Sequence, residues 1–282
     1  MGAPATLPPN SALGPDRGVT AGVAQRVYWG QVGSRWIDAH PDRPWRWCSD
    51  AVHTQWLNRV AADLRGGRVL KTDLFNEAIG DGFTGWFVER GCRVMACDVA
   101  GSTAVGAAAR HPSIAAAVAD VRDLPLPSGS LDAVLSDSTL DHFDDEADIA
   151  RSLGELRRVL RPGGTLLLTM DNPRNPLIWL RNLRPRFWHR LGLVPYMVGV
   201  TCSRRRLADI LEAAGFKVES CGTIMHAPRV VVVALCRWIA ALTGNEHPPV
   251  WLMRSVLGAE RLERLPTREL TGHFVAVRAR AR

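Results

Sequence analysis

Residues 115–143 read AAAVADVRDLPLPSGSLDAVLSDSTLDHF, and after a polar run residues 153–172 read LGELRRVLRPGGTLLLTMDN. Three apolar runs lie here: AAAVA from Ala115, LDAVLS from Leu131 and TLLLTM from Thr165. Each has the length of a buried strand, and polar or turn-rich segments separate them. The first run ends at Asp120, the second at Ser136 and Asp137, and the third at Asp171. Carboxylates and hydroxyls at strand C-terminal ends are what an open parallel sheet uses to build a ligand crevice. Between the last two runs, Ile149, Leu153, Leu156 and Leu160 share one face of a helix over 145–160, which Pro162-Gly163-Gly164 terminates.

These residues carry a resemblance. Ala119–Pro127 (ADVRDLPLP) followed by Ser130–Val134 (SLDAV) resembles the "AD…LPFPDGSFDVV" signature of class I S-adenosylmethionine-dependent methyltransferases. Glu155–Gly164 (ELRRVLRPGG) resembles the "E..RVLKPGG" element that follows it in that family. The similarity is to the type 11 methyltransferase subgroup and covers roughly Arg68 to Asp171. It implies a Rossmann-like α/β fold: a seven-stranded, mainly parallel sheet of order 3-2-1-4-5-7-6, with helices on both faces. Strand-like runs alternating with helical patterns, and a closing hairpin, point the same way. The resemblance also implies S-adenosyl-L-methionine as cofactor. The reaction it implies is in-line displacement of the methyl group by an O, N or C nucleophile of a small-molecule or lipid-like acceptor.

Residues 68–73 (RVLKTD) read as the first strand. The family runs from here into an acid and a Gly-x-Gly-x-Gly loop. This chain departs from it, with LKTDLFNEAIGDG. Phe75, Asn76 and Glu77 stand in the glycine region, and Gly80 and Gly82 follow later. Glycine matters there because backbone must approach the ligand with no Cβ between them. Asp73 or Glu77 is the candidate for the cofactor's ammonium, which favours a carboxylate; Gly80 and Gly82 are the candidates for close approach. Asp98 ends a second strand, 93–98, about where the resemblance places a ribose-binding carboxylate; one carboxylate can accept from both ribose hydroxyls. By the resemblance, Asp120 accepts from the adenine amino group and the Val121 N–H meets the ring. The resemblance implies that the loop opened by Ser136 borders both cofactor and acceptor. On that loop His142 is the candidate base, because a neutral imidazole takes a proton near pH 7. The alternative is that it only packs on the cofactor or caps a helix.

Bulk properties narrow the rest. The chain has 282 residues, 46% of them hydrophobic, which suits one large domain with insertions. Its net charge is +7, from 35 basic and 28 acidic residues. The arginines are scattered, as on a solvated surface; an acidic or membrane partner is the second reading. No dense basic block or RNA-binding aromatic motif argues for nucleic acid. The six cysteines form no CxxC pair and no zinc spacing, so reduced thiols in a cytoplasmic, metal-free protein are expected. Residues 1–18 are Pro/Gly-rich without an apolar signal core and read as a disordered leader.

Residues 19–64 hold Trp29, Trp36, Trp45, Trp47 and Trp56. They read as an N-terminal helical cap of two or three helices, interrupted at Pro41 and Pro44, that packs on the domain or lines a pocket. By the resemblance, residues 65–282 are expected to form the methyltransferase domain, with helical insertions at about 173–200 and 228–264. In the first insertion Leu177, Leu180, Leu183, Phe187 and Leu191 follow helical spacing among arginines, and Pro185 splits the helix. That pattern fits an acceptor lid, a segment lying on a membrane surface, or a packed helix with a solvated arginine face. The longest apolar run, 230–242, is too short for a membrane span, which needs about 20 residues. Three functions stay open: a methyltransferase, a non-catalytic binding protein of the same fold, and a peripheral membrane enzyme that modifies lipids. Neither the acceptor nor the oligomeric state is legible.

Overall fold

In the computed structural model, which describes residues 19–39, 43–190, 198–245 and 247–282, the three apolar runs are strands. They are β3 (Ala115–Val118), β4 (Leu131–Asp137) and β5 (Leu160–Asp171). With β1 (Arg68–Thr72), β2 (Arg93–Asp98), β6 (Phe216–Ile224) and β7 (Phe274–Ala281) they form a seven-stranded sheet of order β3-β2-β1-β4-β5-β7-β6. This is the order expected from the sequence. Strands β1 to β5 are parallel. β7 is antiparallel to both β5 and β6, so β6 points the same way as the first five.

Helices α1 (Val19–Ala39) and α2 (Arg43–Val60) precede the sheet. α3 (Phe75–Ile79), α4 (Thr84–Val88) and α5 (Gly101–Arg110) lie in the first two crossovers, and α6 (Glu146–Val159) joins β4 to β5. α7 (Pro176–Leu183), α8 (Pro185–Arg190) and α9 (Arg204–Ala213) lie between β5 and β6. α10 (Arg229–Thr243), α11 (Val250–Ala259) and α12 (Arg268–Thr271) lie between β6 and β7. Residues 1–18, where the leader was expected, and 191–197 of the first insertion lie outside the described residues.

Strand alternation sorts the core into two layers. On β5, Leu166, Leu168 and Met170 pack with Ile149, Leu153 and Leu156 of α6 and Leu207 and Leu211 of α9. Leu167 faces the opposite layer, where Trp36, Trp45 and Trp56 of the first two helices are buried. Helix starts follow local chemistry. Asp145 accepts from the Asp148 N–H at the start of α6, and Ser203 from Arg206 at the start of α9. Asn175 accepts from the Leu177 N–H with Pro176 at the first helical position, and Pro185 separates α7 from α8.

Candidate active site

A crevice runs along the C-terminal ends of the strands. In sheet order its lining passes from Asp120 and Val121 after β3, to Asp98 of β2, to Asp73 after β1, to Asp137 and Ser138 at the end of β4, and to His273 and Phe274 at the start of β7. Neighbouring strands lie about 4.8 Å apart, so the stretch from β3 to β4 alone spans roughly 14 Å. The helices roof it with Gln25, Trp29, Trp45, Arg46 and His53. The space within is about 1160 Å³, counted out to solvent.

The turn after β1 explains the missing glycines. Asp73 has φ of 65°, the left-handed region where glycine is usual and Asp is among the better-tolerated alternatives. Its Oδ1 accepts from the Phe75 N–H at 2.8 Å. Asp98 accepts from Leu74 N–H at 2.9 Å and Ala100 N–H at 2.8 Å, tying the β1 and β2 turns together. Burial holds the Asp73 carboxyl well above the usual carboxylate range and neighbouring Asp98 adds to it; Lys71 and the Phe75 N–H oppose the rise. Asp98 is raised as well, by burial first.

Glu77 and Gly80 do not line this crevice. Glu77 is fully buried, and its Oε2 lies 2.8 Å from the Lys71 ammonium, itself 1% exposed. The other Glu77 oxygen accepts from the N–H groups of Phe83 and Thr84 at 3.1 and 3.3 Å. Gly82, at φ 58°, lies under that carboxylate: a Cβ there would come within 2.4 Å of Oε1. The close approach that Gly82 allows is therefore to Glu77. Gly80 is extended and borders a second hollow with Asp50, Asp81 and Arg110. Ser136 is buried beneath the crevice, accepting from the Thr72 hydroxyl at 3.1 Å.

The region of the expected glycine loop is packed from α2. Arg46 donates to Asn76 Oδ1 at 2.5 Å and lies over the Phe75 ring, while Asn76 donates to Asp137 at 3.2 Å. His53 of α2 binds the Ser49 carbonyl through Nδ1 at 2.8 Å and Asp137 through Nε2 at 3.0 Å. Burial disfavours the charged ring, but Asp137 outweighs it and His53 is raised. Asp137 is correspondingly held well below the carboxylate range by His53 and Lys71, against burial.

At the β3 end, Arg122 grips Asp120 with Nε and NH2 at 2.6–3.2 Å and also reaches Asp148 at 2.8 Å. That leaves the Asp120 carboxylate with little free capacity, while Asp120 and Val121 still line the wall.

His142 lines the crevice against Trp29, ring centroids 4.3 Å apart. Burial lowers it to about 4, with Asp171 opposing. That shift favours the neutral ring and makes it a weak proton acceptor. A better-supported imidazole is His273. Its Nε2 lies 3.4 Å from Asp171 Oδ1, and Arg181 holds the other oxygen of Asp171 at 2.7 Å. The His273 backbone is fixed too: its N–H reaches the carbonyls of Ile224 and Met225, and its carbonyl accepts from Asn172. Burial lowers His273 below the ordinary histidine range, with Asp171 opposing and Arg229 and Arg181 assisting. Among the described residues no group of three or more His, Cys, Asp or Glu could hold a metal ion, and no helix is long and apolar enough to cross a membrane.

A methyltransferase domain family profile matches residues 78–168. A protein of Mycolicibacterium smegmatis named as a probable S-adenosylmethionine-dependent methyltransferase is 27% identical over 189 residues, 62% of this chain and 65% of that relative. The chain thus spans just under two thirds of that relative's length. The [4+2]-cyclase SpnF has a similar fold, with a TM-score of 0.55 at 15% identity, over 89% of this chain and 95% of that one. So does geranyl diphosphate methyltransferase, solved with GPP and sinefungin: TM-score 0.54 at 15% identity, over 81% and 77%.

Proposed function

Because the chain belongs to the class I S-adenosylmethionine-dependent methyltransferases, we propose that it transfers a methyl group from S-adenosylmethionine to a small acceptor. The observation that carries the proposal is the convergence of Asp73, Asp98 and the Asp120–Val121 turn on one crevice. The donor set fits the cofactor. Asp73 and Asp98 are both raised by burial first, and Asp98 raises Asp73 further; a ligand bearing an ammonium and a sulfonium supplies positive charge beside them. Asp73 would hold the ammonium, Asp98 the ribose, and Val121 the adenine. Asp120 would act mainly by fixing Arg122 and the turn.

Bound there, S-adenosylmethionine supplies a methyl group on an electrophilic sulfonium. The chain's own contribution is positioning, with water excluded by Trp29, Trp45 and the helices that carry them. The acceptor takes the β4–β5–β7 side of the crevice, beside His142, His273 and Phe274. With its Nε2–H turned to Asp171, His273 keeps Nδ1 as the basic nitrogen and takes the acceptor's proton. Asp171, held ionised by Arg181, then stabilises the imidazolium. Residues 19–64 act as a cap over the domain that follows. The fold neighbour solved with GPP supports an acceptor with an apolar body.

Isothermal titration with S-adenosylmethionine, followed by incubation of methyl-labelled cofactor with cell extract, tests the reading. Binding with label appearing in a small molecule supports it. Binding with no transfer favours the binding-protein alternative, and no binding at millimolar cofactor removes both.

A further inference from the structure

Helix α7 buries Ile178 but leaves most of its apolar side chains outside. Leu177, Trp179, Leu180 and Leu183 are 45–56% exposed. Its polar side chains turn inward instead: Arg181 to Asp171 at 2.7 Å, and Asn182 to the Thr201 hydroxyl at 3.1 Å. Helix α10 also leaves apolar side chains outside. It packs inward through Val232 and Cys236 and leaves Trp238 and Leu242 more than 60% exposed. Both helices follow strands that point the same way, β5 and β6, so both leave the sheet at the crevice end.

Charge selects the occupant. In sequence, residues 172–200 contain five arginines and no acid, although Arg181 and Arg174 are paired with Asp171 and Glu269, and residues 228–259 contain three arginines and one glutamate. Exposed apolar side chains on segments whose sequence has an excess of arginine over acid match the boundary of an anionic bilayer, where aromatic and aliphatic groups enter the headgroup layer and arginines meet phosphates. A second copy of this chain would bring the same positive charge against itself. We propose that α7 and α10 dock the crevice end of the molecule on an anionic lipid surface. The inference stands apart from methyl transfer; if both hold, the acceptor enters from the membrane side.

The test is co-flotation of the full chain with phosphatidylcholine vesicles with and without phosphatidylglycerol, at low and high salt. The proposal expects binding to the anionic vesicles, loss of it in high salt, and binding about tenfold weaker or less in a Trp179→Ser/Leu180→Ser/Trp238→Ser variant. These side chains are exposed, so the variant should keep the parent's thermal melt and its S-adenosylmethionine affinity, which reads out the methyl-transfer proposal separately. Equal binding to neutral and anionic vesicles, or none to either, overturns the proposal. So does a concentration-dependent dimer in analytical ultracentrifugation that the same substitutions dissolve, which would assign the face to a second copy.

Discussion

Replacing Glu77 with Gln separates a structural acid from a ligand-binding one. Glu77 and Lys71 are a buried ion pair at 2.8 Å, 0% and 1% exposed. The amide keeps an oxygen for the Phe83 and Thr84 N–H groups but turns an NH2 toward the Lys71 ammonium. Breaking a buried pair by removing one partner costs about 3–5 kcal/mol, and the retained amide oxygen places this variant at the lower end, about 3 kcal/mol. For a chain of this size each kcal/mol moves the midpoint by about 2–4 °C, so thermal unfolding should fall by roughly 6–12 °C. Adding Lys71→Met should recover most of the loss, since two apolar groups can replace a buried pair at little cost. By calorimetry, S-adenosylmethionine affinity in the folded Glu77→Gln variant should stay within about threefold of the parent, under 1 kcal/mol. A melt within about 2 °C of the parent together with a tenfold or larger loss of affinity would refute the reasoning and place Glu77 at the ammonium.

Asp98→Ala should weaken cofactor binding by about 1–3 kcal/mol in the same titration, and lower the melt by leaving the Leu74 and Ala100 N–H groups without their acceptor. Asp73 stands above its unfolded value, so the stability its protonated form contributes is lost as pH rises through the folded pKa. A cationic ligand favours the ionised form, so cofactor affinity should rise over that window and fall as pH drops; titrations at several pH values check the sign, and Asp73→Asn should flatten the dependence. His273→Ala should lower turnover about 100-fold while cofactor affinity holds, and should abolish the acid limb of the pH–rate profile, which His142→Ala should leave in place.

The strands were legible as short apolar runs separated by turn signals, and their order came with the family resemblance. Asp98, Asp120 and Asp73 end such runs, and all three line the crevice. Glu77 was harder to place. Position alone cannot show that a five-residue helix folds it beneath the turn. The signal was one step upstream: Lys71 sits mid-strand in the centre of a parallel sheet, where a buried ammonium requires a carboxylate. His273 was legible only through topology. In the antiparallel register Asp171 pairs with Phe274, which sets the preceding histidine beside that acid. Arg46 and His53 left no local signal, because their partners lie 30 and 84 residues away in Asn76 and Asp137.

The account stands most directly on a crystal structure of the full chain with S-adenosylhomocysteine. The expected result is density along the strand tips, with the amino group at Asp73, the ribose at Asp98 and the adenine at Val121, and with Glu77 still paired to Lys71. Density in the hollow between Asp50, Asp81 and Arg110, or an empty crevice at millimolar ligand, would contradict it.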